Sequence, residues 1–187
     1  MINLLKYDKE YEGLIEVKGE YVAYAVAGEA DNYVEQTSRR LRQLAQTMYT
    51  FPFYLYFESY YDSLEWVLQE MGFDIRYKAS GRTVLTQTGQ KMFQAEVPTF
   101  TVAITNQVLL DQSFQLWFQN AFDNHLWAIT QDDVIYYENG FAAVDLMKDM
   151  TILIAEHDAS GFTVVTNQAD YQSESLLQGY LEKVIKE

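Results

Sequence analysis

The sequence predicts an α+β fold: two tandem βαββ-type repeats around a pseudo-two-fold axis, an antiparallel sheet with helices on one side, and an extra C-terminal helix. Three observations predict it. In each half of the chain, stretches of strand-like alternation flank a stretch with apolar residues at 3–4 spacing. The chain also matches itself at a constant offset of 80 residues. Finally, its 187 residues are 49% apolar and 21% charged, which suits a single compact domain over 1–187.

The self-match is specific. Ala79-Ser80-Gly81-Arg82-Thr83-Val84-Leu85-Thr86 lies over Ala159-Ser160-Gly161-Phe162-Thr163-Val164-Val165-Thr166. Without a gap, Tyr54-Leu55-Tyr56-Phe57-Glu58 lies over Val134-Ile135-Tyr136-Tyr137-Glu138, and Asp31 over Asp111. Residues 16–86 share 14 identities with their counterparts, where composition alone gives roughly five. Repeat 1 is set at 13–87 and repeat 2 at 93–167. The connection Gln87-Thr88-Gly89-Gln90-Lys91 is too short for a free linker, so the halves are expected to pack directly.

Each repeat opens on a β-rich run, Leu14–Val17 into Tyr21–Val26 in the first and Phe100–Ile104 in the second. Asp31 and Asp111 stand at expected helix starts, where a carboxylate accepts from free backbone N–H groups. The first helix gathers Val34, Leu41, Leu44, Ala45 and Met48 on one face; the second gathers Phe114, Trp117, Phe118, Ala121 and Phe122. Strands follow at Phe53–Glu58 and Val134–Glu138. A short helix from the Asp62-x-x-Glu65 capping pattern to Gly72 comes next, with Asn139–Lys148 as its counterpart. Closing strands are Phe73–Lys78 and Thr83–Thr86, then Ile152–Ala155 and Thr163–Thr166. A helix over 173–186 carries Leu176, Leu177, Tyr180, Leu181, Val184 and Ile185 on one stripe, suited to core packing or a dimer contact.

Charge excludes several functions. Thirteen Lys and Arg stand against 27 Asp and Glu, a net charge of −14. Such a chain repels phosphate and anionic lipid, so nucleic-acid and membrane-surface partners are not expected. With no cysteine there are no disulfides, thiolate metal sites or Cys nucleophiles. The first ten residues lack a signal-peptide pattern and no run approaches a membrane span, so a cytoplasmic protein is the expectation. Nucleophile-elbow, His-Glu-x-x-His, Walker and dinucleotide motifs are all absent. No cofactor, metal or catalytic residue is assigned. Glu156-His157-Asp158 reads as a solvated turn, His125 as a helix-end residue, and Arg39, Arg40 and Arg42 as a solvated helix face.

What stands out is the aromatic content, 16%, with 15 Tyr, 11 Phe and 3 Trp. Strand alternation puts Tyr54, Tyr56 and Glu58 on one face, and Val134, Tyr136 and Glu138 on another. A two-fold arrangement would bring these to two sides of one cleft, with Trp66 and Trp127 at its mouth; Trp117 is assigned to the core. Tyrosine faces attract a cation by about 0.5–2 kcal/mol each, and carboxylates add Coulomb attraction. The same residues also serve plain cross-strand packing.

This organisation resembles the gyrase-inhibitor-like family of effector-binding domains, built from two βαββ units. Glu16-Val17-Lys18-Gly19-Glu20-Tyr21-Val22-Ala23-Tyr24 resembles the first lead and strand, and Glu96-Val97-Pro98-Thr99-Phe100-Thr101-Val102-Ala103-Ile104 the second, over roughly 13–160. Where the family carries Gly-Pro-Tyr, this chain has Gly28-Glu29-Ala30 and Asn106-Gln107-Val108. The family's ligand-facing acid falls at Ile152, leaving Glu138 as the nearest acidic residue. Paired ferredoxin-like units fit the same elements.

Three functions follow as expectations. The first is a stand-alone module that senses or sequesters an amphipathic, cationic aromatic small molecule between the repeats. Its ligand-binding residues would be Tyr54, Tyr56, Glu58, Tyr136, Glu138, Trp66 and Trp127. The second is an acidic inhibitor-like module that covers a basic protein surface. The third, implied by the resemblance, is a cofactor-free hydrolase in which Glu58 or Glu138 activates water. A monomer or a dimer is compatible with each.

Overall fold

A computed structural model describes residues 2–8, 11–28, 31–59 and 68–185. In chain order the elements are β1 (Leu4–Lys6), β2 (Ile15–Lys18), β3 (Val22–Ala27), α1 (Tyr33–Met48), β4 (Phe53–Glu58), β5 (Asp74–Thr88) and β6 (Lys91–Ile104). Then come α2 (Gln107–Phe122), β7 (Trp127–Thr130), β8 (Tyr136–Glu138), β9 (Phe141–Asp145), β10 (Thr151–Ala155), β11 (Gly161–Thr166) and α3 (Glu174–Val184). Eight strands form one antiparallel sheet in the order β1-β3-β11-β10-β7-β4-β6-β5. The remaining three form a small sheet, β2-β9-β8, in which β2 and β9 run parallel.

The large sheet is the middle of three layers. All of β7, β10 and β11 is buried, so these strands lack the alternation of half-exposed strands and must be covered on both faces. Against one face pack α1 through Leu41, Leu44 and Ala45, α2 through Phe114, Trp117 and Phe118, and α3 through Leu177 and Leu181. These meet Phe53, Leu55 and Phe57 of β4 and Phe162 and Val164 of β11. Against the opposite face packs the small sheet, placing Ile15, Ala142 and Val144 over Tyr56, Ala128, Ile152 and Val165. Helices therefore lie on one side, as expected, while a second sheet closes the other.

Several local expectations are corrected. Helix α1 starts after Asn32, not Asp31, and α2 starts after Asn106, whose Oδ1 accepts from the Leu109 N–H at 3.1 Å. Asp111 is therefore inside α2, where it pairs with Arg42 at 3.1 Å. Arg40 is not on a solvated face; it is buried and donates to the Ala27 carbonyl at 3.4 Å. Asn139–Lys148 is not a helix but supplies β9, because Asn139 and Gly140 both adopt positive φ and close a two-residue hairpin between β8 and β9. The helix expected over Asp62–Gly72 lies mostly outside the described residues. Its stop holds: Gly72, at φ +85°, donates to Gln69 O and Phe73 donates to Leu68 O.

Offset and sheet order also depart from the expectation. Helices α1 and α2 have 16 residues each, but they start at 33 and 107, an offset of 74 rather than 80. The residues 80 beyond β4 do not form its structural counterpart, because Tyr136–Glu138 belongs to the small sheet. Gly81 has φ +70° whereas Gly161 has no positive φ. Within the large sheet β6 lies beside β4, yet β3 is separated from β7 by β11 and β10. A two-fold axis between β4 and β7 would exchange β6 with β10 rather than with β3.

The aromatic helix layer generates a stability prediction. Trp127 is fully buried, with Phe114 and Phe118 edge-on at 4.8 and 5.1 Å. Trp127→Ala is expected to cost about 3–5 kcal/mol, read as a lower urea midpoint with an unchanged transition slope.

Candidate functional site

Alternation on β4 puts Phe53, Leu55 and Phe57 on one face and Tyr54 and Tyr56 on the other, as expected; the first set meets the helices and the second meets the small sheet. Glu58 continues the tyrosine face and is 5% exposed. Across β6, Thr101 and Thr99 separate Tyr56 and Glu58 from Arg76 and Lys78 of β5. These short side chains leave room for long cations to reach back over the sheet. Arg76 stands 5.9 Å from the Tyr54 ring centroid, and Lys78 stands 5.3 Å from that of Tyr56. The attraction of tyrosine faces for cations is thus met within the molecule.

Asp133, in the segment between β7 and β8, ties these groups together. It accepts from the Tyr56 hydroxyl at 2.7 Å, from Lys78 at 2.8 Å and, through its other oxygen, from Arg76 at 2.8 Å. Burial pushes the Tyr56 hydroxyl far above its ordinary pKa, and the Asp133 hydrogen bond and charge add to the rise. Burial also opposes ionisation of Asp133. Hydrogen bonds from Lys78 and Tyr56, with the nearby cations, outweigh that opposition and hold its carboxyl below the usual value. Glu58 is paired separately, with Arg82 at 2.6 Å.

Tyr136 and Glu138 are not brought opposite Tyr56 and Glu58. They lie on the outer side of the small sheet, where Lys18 donates to Glu138 at 2.6 Å and to Tyr136 at 3.2 Å. Tyr137 is the β8 residue that turns inward against the second core. Burial raises its pKa, and the Glu58 charge raises it further. Trp127, expected at a cleft mouth, is instead fully buried under α2. Trp66 lies outside the described residues. The expected two-sided cleft is therefore closed on one side by Asp133 and the small sheet and opened outward on the other.

A different hollow has the chemistry expected of that cleft. Just beyond β1, Tyr7 donates its backbone N–H to Ala23 O and so continues the pairing with β3. Its ring meets Tyr11 edge-on at 5.6 Å. The Tyr21 hydroxyl, arriving from the turn between β2 and β3, accepts from the Tyr11 N–H at 3.0 Å. Together these line a cavity of about 740 Å³ whose rim includes Lys6, Asp8, Glu16, Lys18 and Glu20. A second hollow of about 630 Å³ adjoins it, sharing Glu20, Tyr21 and Val22. Both volumes suit a drug-sized molecule.

The Tyr11 hydroxyl is buried, and desolvation together with the Glu156 charge lifts its pKa well above the ordinary value. Glu156 accepts from Thr163, whose hydroxyl is 3.4 Å from that of Tyr7. Gly13 is part of the same construction. A Cβ there would lie 1.9 Å from the Tyr11 hydroxyl oxygen, so the ring can occupy its place only over a residue without a side chain. In sequence the signal for this hollow was three tyrosines within 15 residues, Tyr7, Tyr11 and Tyr21, dispersed among five acids. They share no strand face, so alternation does not group them.

Compared with known proteins, the chain matches no family model, no curated protein and no solved structure. Among the described residues no group of three or more His, Asp or Glu is placed to hold a metal ion, and no helix is long and apolar enough to cross a membrane.

The Asp133 cluster generates a pH prediction. A carboxyl whose folded pKa is depressed contributes stability that is full above its unfolded value, near 3.9, and lost as pH falls through the folded pKa. Asp133→Asn is expected to cost about 1–3 kcal/mol at pH 7. Urea titrations from pH 7 to pH 2.5 should show the difference from wild type shrinking at the acid end.

Proposed function

We propose that the protein is a binding module for a flat, amphipathic organic cation, which it senses or sequesters in the hollow formed by Tyr7, Tyr11 and Tyr21. One observation carries the proposal: three tyrosines from separate segments converge on one open cavity with an acidic rim. Lys18 is committed to Glu138, which leaves Lys6 against Asp8, Glu16 and Glu20. An aromatic cation would replace water over the ring faces, each contributing about 0.5–2 kcal/mol, while the rim carboxylates add longer-range attraction.

The proposal keeps the ligand class that the resemblance to effector-binding domains implies and moves its place. The Tyr54 and Tyr56 faces, where the ligand was expected, are supplied with cations by Arg76 and Lys78. Descent of the two halves from one ancestral unit belongs to the same proposal. Its support is the shared strand–helix–strand succession of β3-α1-β4 and β6-α2-β7, with both helices on one face of the sheet.

Fluorescence anisotropy with ethidium, a planar cationic dye, tests the site. Wild type is expected to bind it in low salt, and Tyr21→Ala and Glu20→Gln to bind roughly 2- to 30-fold more weakly. Gly13→Ala, which displaces Tyr11 from its place over the glycine, should weaken binding comparably. Tyr56→Phe should bind like wild type. An affinity insensitive to Tyr21→Ala, or lost in Tyr56→Phe alone, would remove the hollow as the site.

A further inference from the structure

The strands β5 and β6 are 15 and 14 residues long, much longer than the sheet they belong to. Strand β4 pairs with β6 only as far as Glu58 opposite Thr99. Beyond an irregularity between Ala79 and Thr83, β5 and β6 continue alone, from Thr83 opposite Glu96 to Thr88 opposite Lys91. The result is a two-stranded arm that leaves the body of the protein. Leu85, Met92 and Phe93 on it are 65%, 56% and 45% exposed. A two-stranded ribbon with exposed apolar residues on both faces is at best marginally stable alone.

The charge of the arm is unlike that of the rest. Residues 83–95 contain one charged residue, Lys91, and no carboxylate, in a chain of net charge −14. Strand β5 is also the last strand of the sheet order. Its outer edge over Thr83–Gln87 presents Thr, Val, Leu, Thr and Gln, without the charge, proline or brevity that ordinarily guards an edge. The opposite edge strand, β1, is guarded by being three residues long.

We propose that the arm is a self-association element: β5 of one molecule pairs antiparallel with β5 of a second copy, about a two-fold axis near Leu85. An edge strand offers alternating donors and acceptors, and an identical strand turned antiparallel is their complement. Charge selects the second copy. Two bodies of charge −14 repel, and a protruding segment without carboxylates lets two molecules join while their acidic surfaces stay apart. A strongly basic or acidic partner would find almost no countercharge on the arm. With Leu85 opposite its own copy, Val84 meets Thr86 and Thr83 meets Gln87, so every facing pair is uncharged.

Analytical ultracentrifugation over 1–200 µM tests this. Wild type is expected to shift from 21.8 kDa toward twice that mass as concentration rises, and to do so more readily in higher salt as the repulsion between bodies is screened. Leu85→Lys and Leu85→Glu should each weaken association at least tenfold, since like charges would face each other across the axis. An equimolar mixture of the two should regain the dimer. Leu85 is exposed, so both variants should keep the wild-type circular dichroism and melting temperature; Met92→Lys, on the same face of the arm, provides a second test. A wild type that stays monomeric at 200 µM, variants that associate as tightly as wild type, or a charge-swapped mixture that stays monomeric would each overturn the proposal.

Discussion

The rest of the structure depends on one constraint: the centre of the eight-stranded sheet is buried on both faces, so a carboxylate or phenol placed there must find its partner inside the protein. Phe53, Leu55 and Phe57 raise no such demand, because they meet rings and aliphatic groups under the helices. Tyr56, Glu58 and Thr99 on the opposite face do. A buried carboxylate or phenol without a partner costs more than an apolar residue in its place. Lys78, Arg76, Arg82 and Asp133 meet that demand from a neighbouring strand and from the segment after β7. Residues that look like a ligand site in one dimension therefore form the polar seam between two layers.

That seam explains which features were legible in the sequence. The 3–4 spacing of Phe114, Trp117, Phe118 and Ala121 gave a helix because one face of α2 meets a flat sheet. The alternation of Tyr54, Tyr56 and Glu58 against Phe53, Leu55 and Phe57 gave the correct facing of β4. What alternation does not contain is the identity of the opposite layer. A tyrosine face awaiting a cation reads the same whether the cation is a ligand or a lysine two strands away. Lys78 is 22 positions from Tyr56 in the chain and reaches it only because β6 intervenes with small residues.

Other departures have local causes. Asn139-Gly140 is a strong hairpin signal, and apolar residues at spacings that also suit a helix masked it over Phe141–Val144. The helix starts shifted by one residue at α1 and by five at α2, because Asn32 and Asn106 occupy the positions before them instead of Asp31 and Asp111. The hollow at Tyr7, Tyr11 and Tyr21 could not be read from periodicity, since its residues come from the ends of β1 and β3 and the loop between β1 and β2. It is set by chain path, with Gly13 yielding its space to the Tyr11 ring.

The pairing of β2 with β9 links Ile15 to Ala142, and that of β3 with β11 links Val22 to Thr166. Contacts so distant along the chain carry a large loop-closure entropy, and they slow folding relative to local hairpins. For a polypeptide emerging from the ribosome amino end first, β3 can join only β1 at once, and β2 has no strand to join until β9 has been synthesised. The cover of the large sheet's polar face is consequently assembled late, once β8 and β9 are available, and β2 must stay soluble while it waits. The acids around it, Asp8, Glu12, Glu16 and Glu20, supply the like-charge repulsion that keeps such waiting segments on different molecules apart.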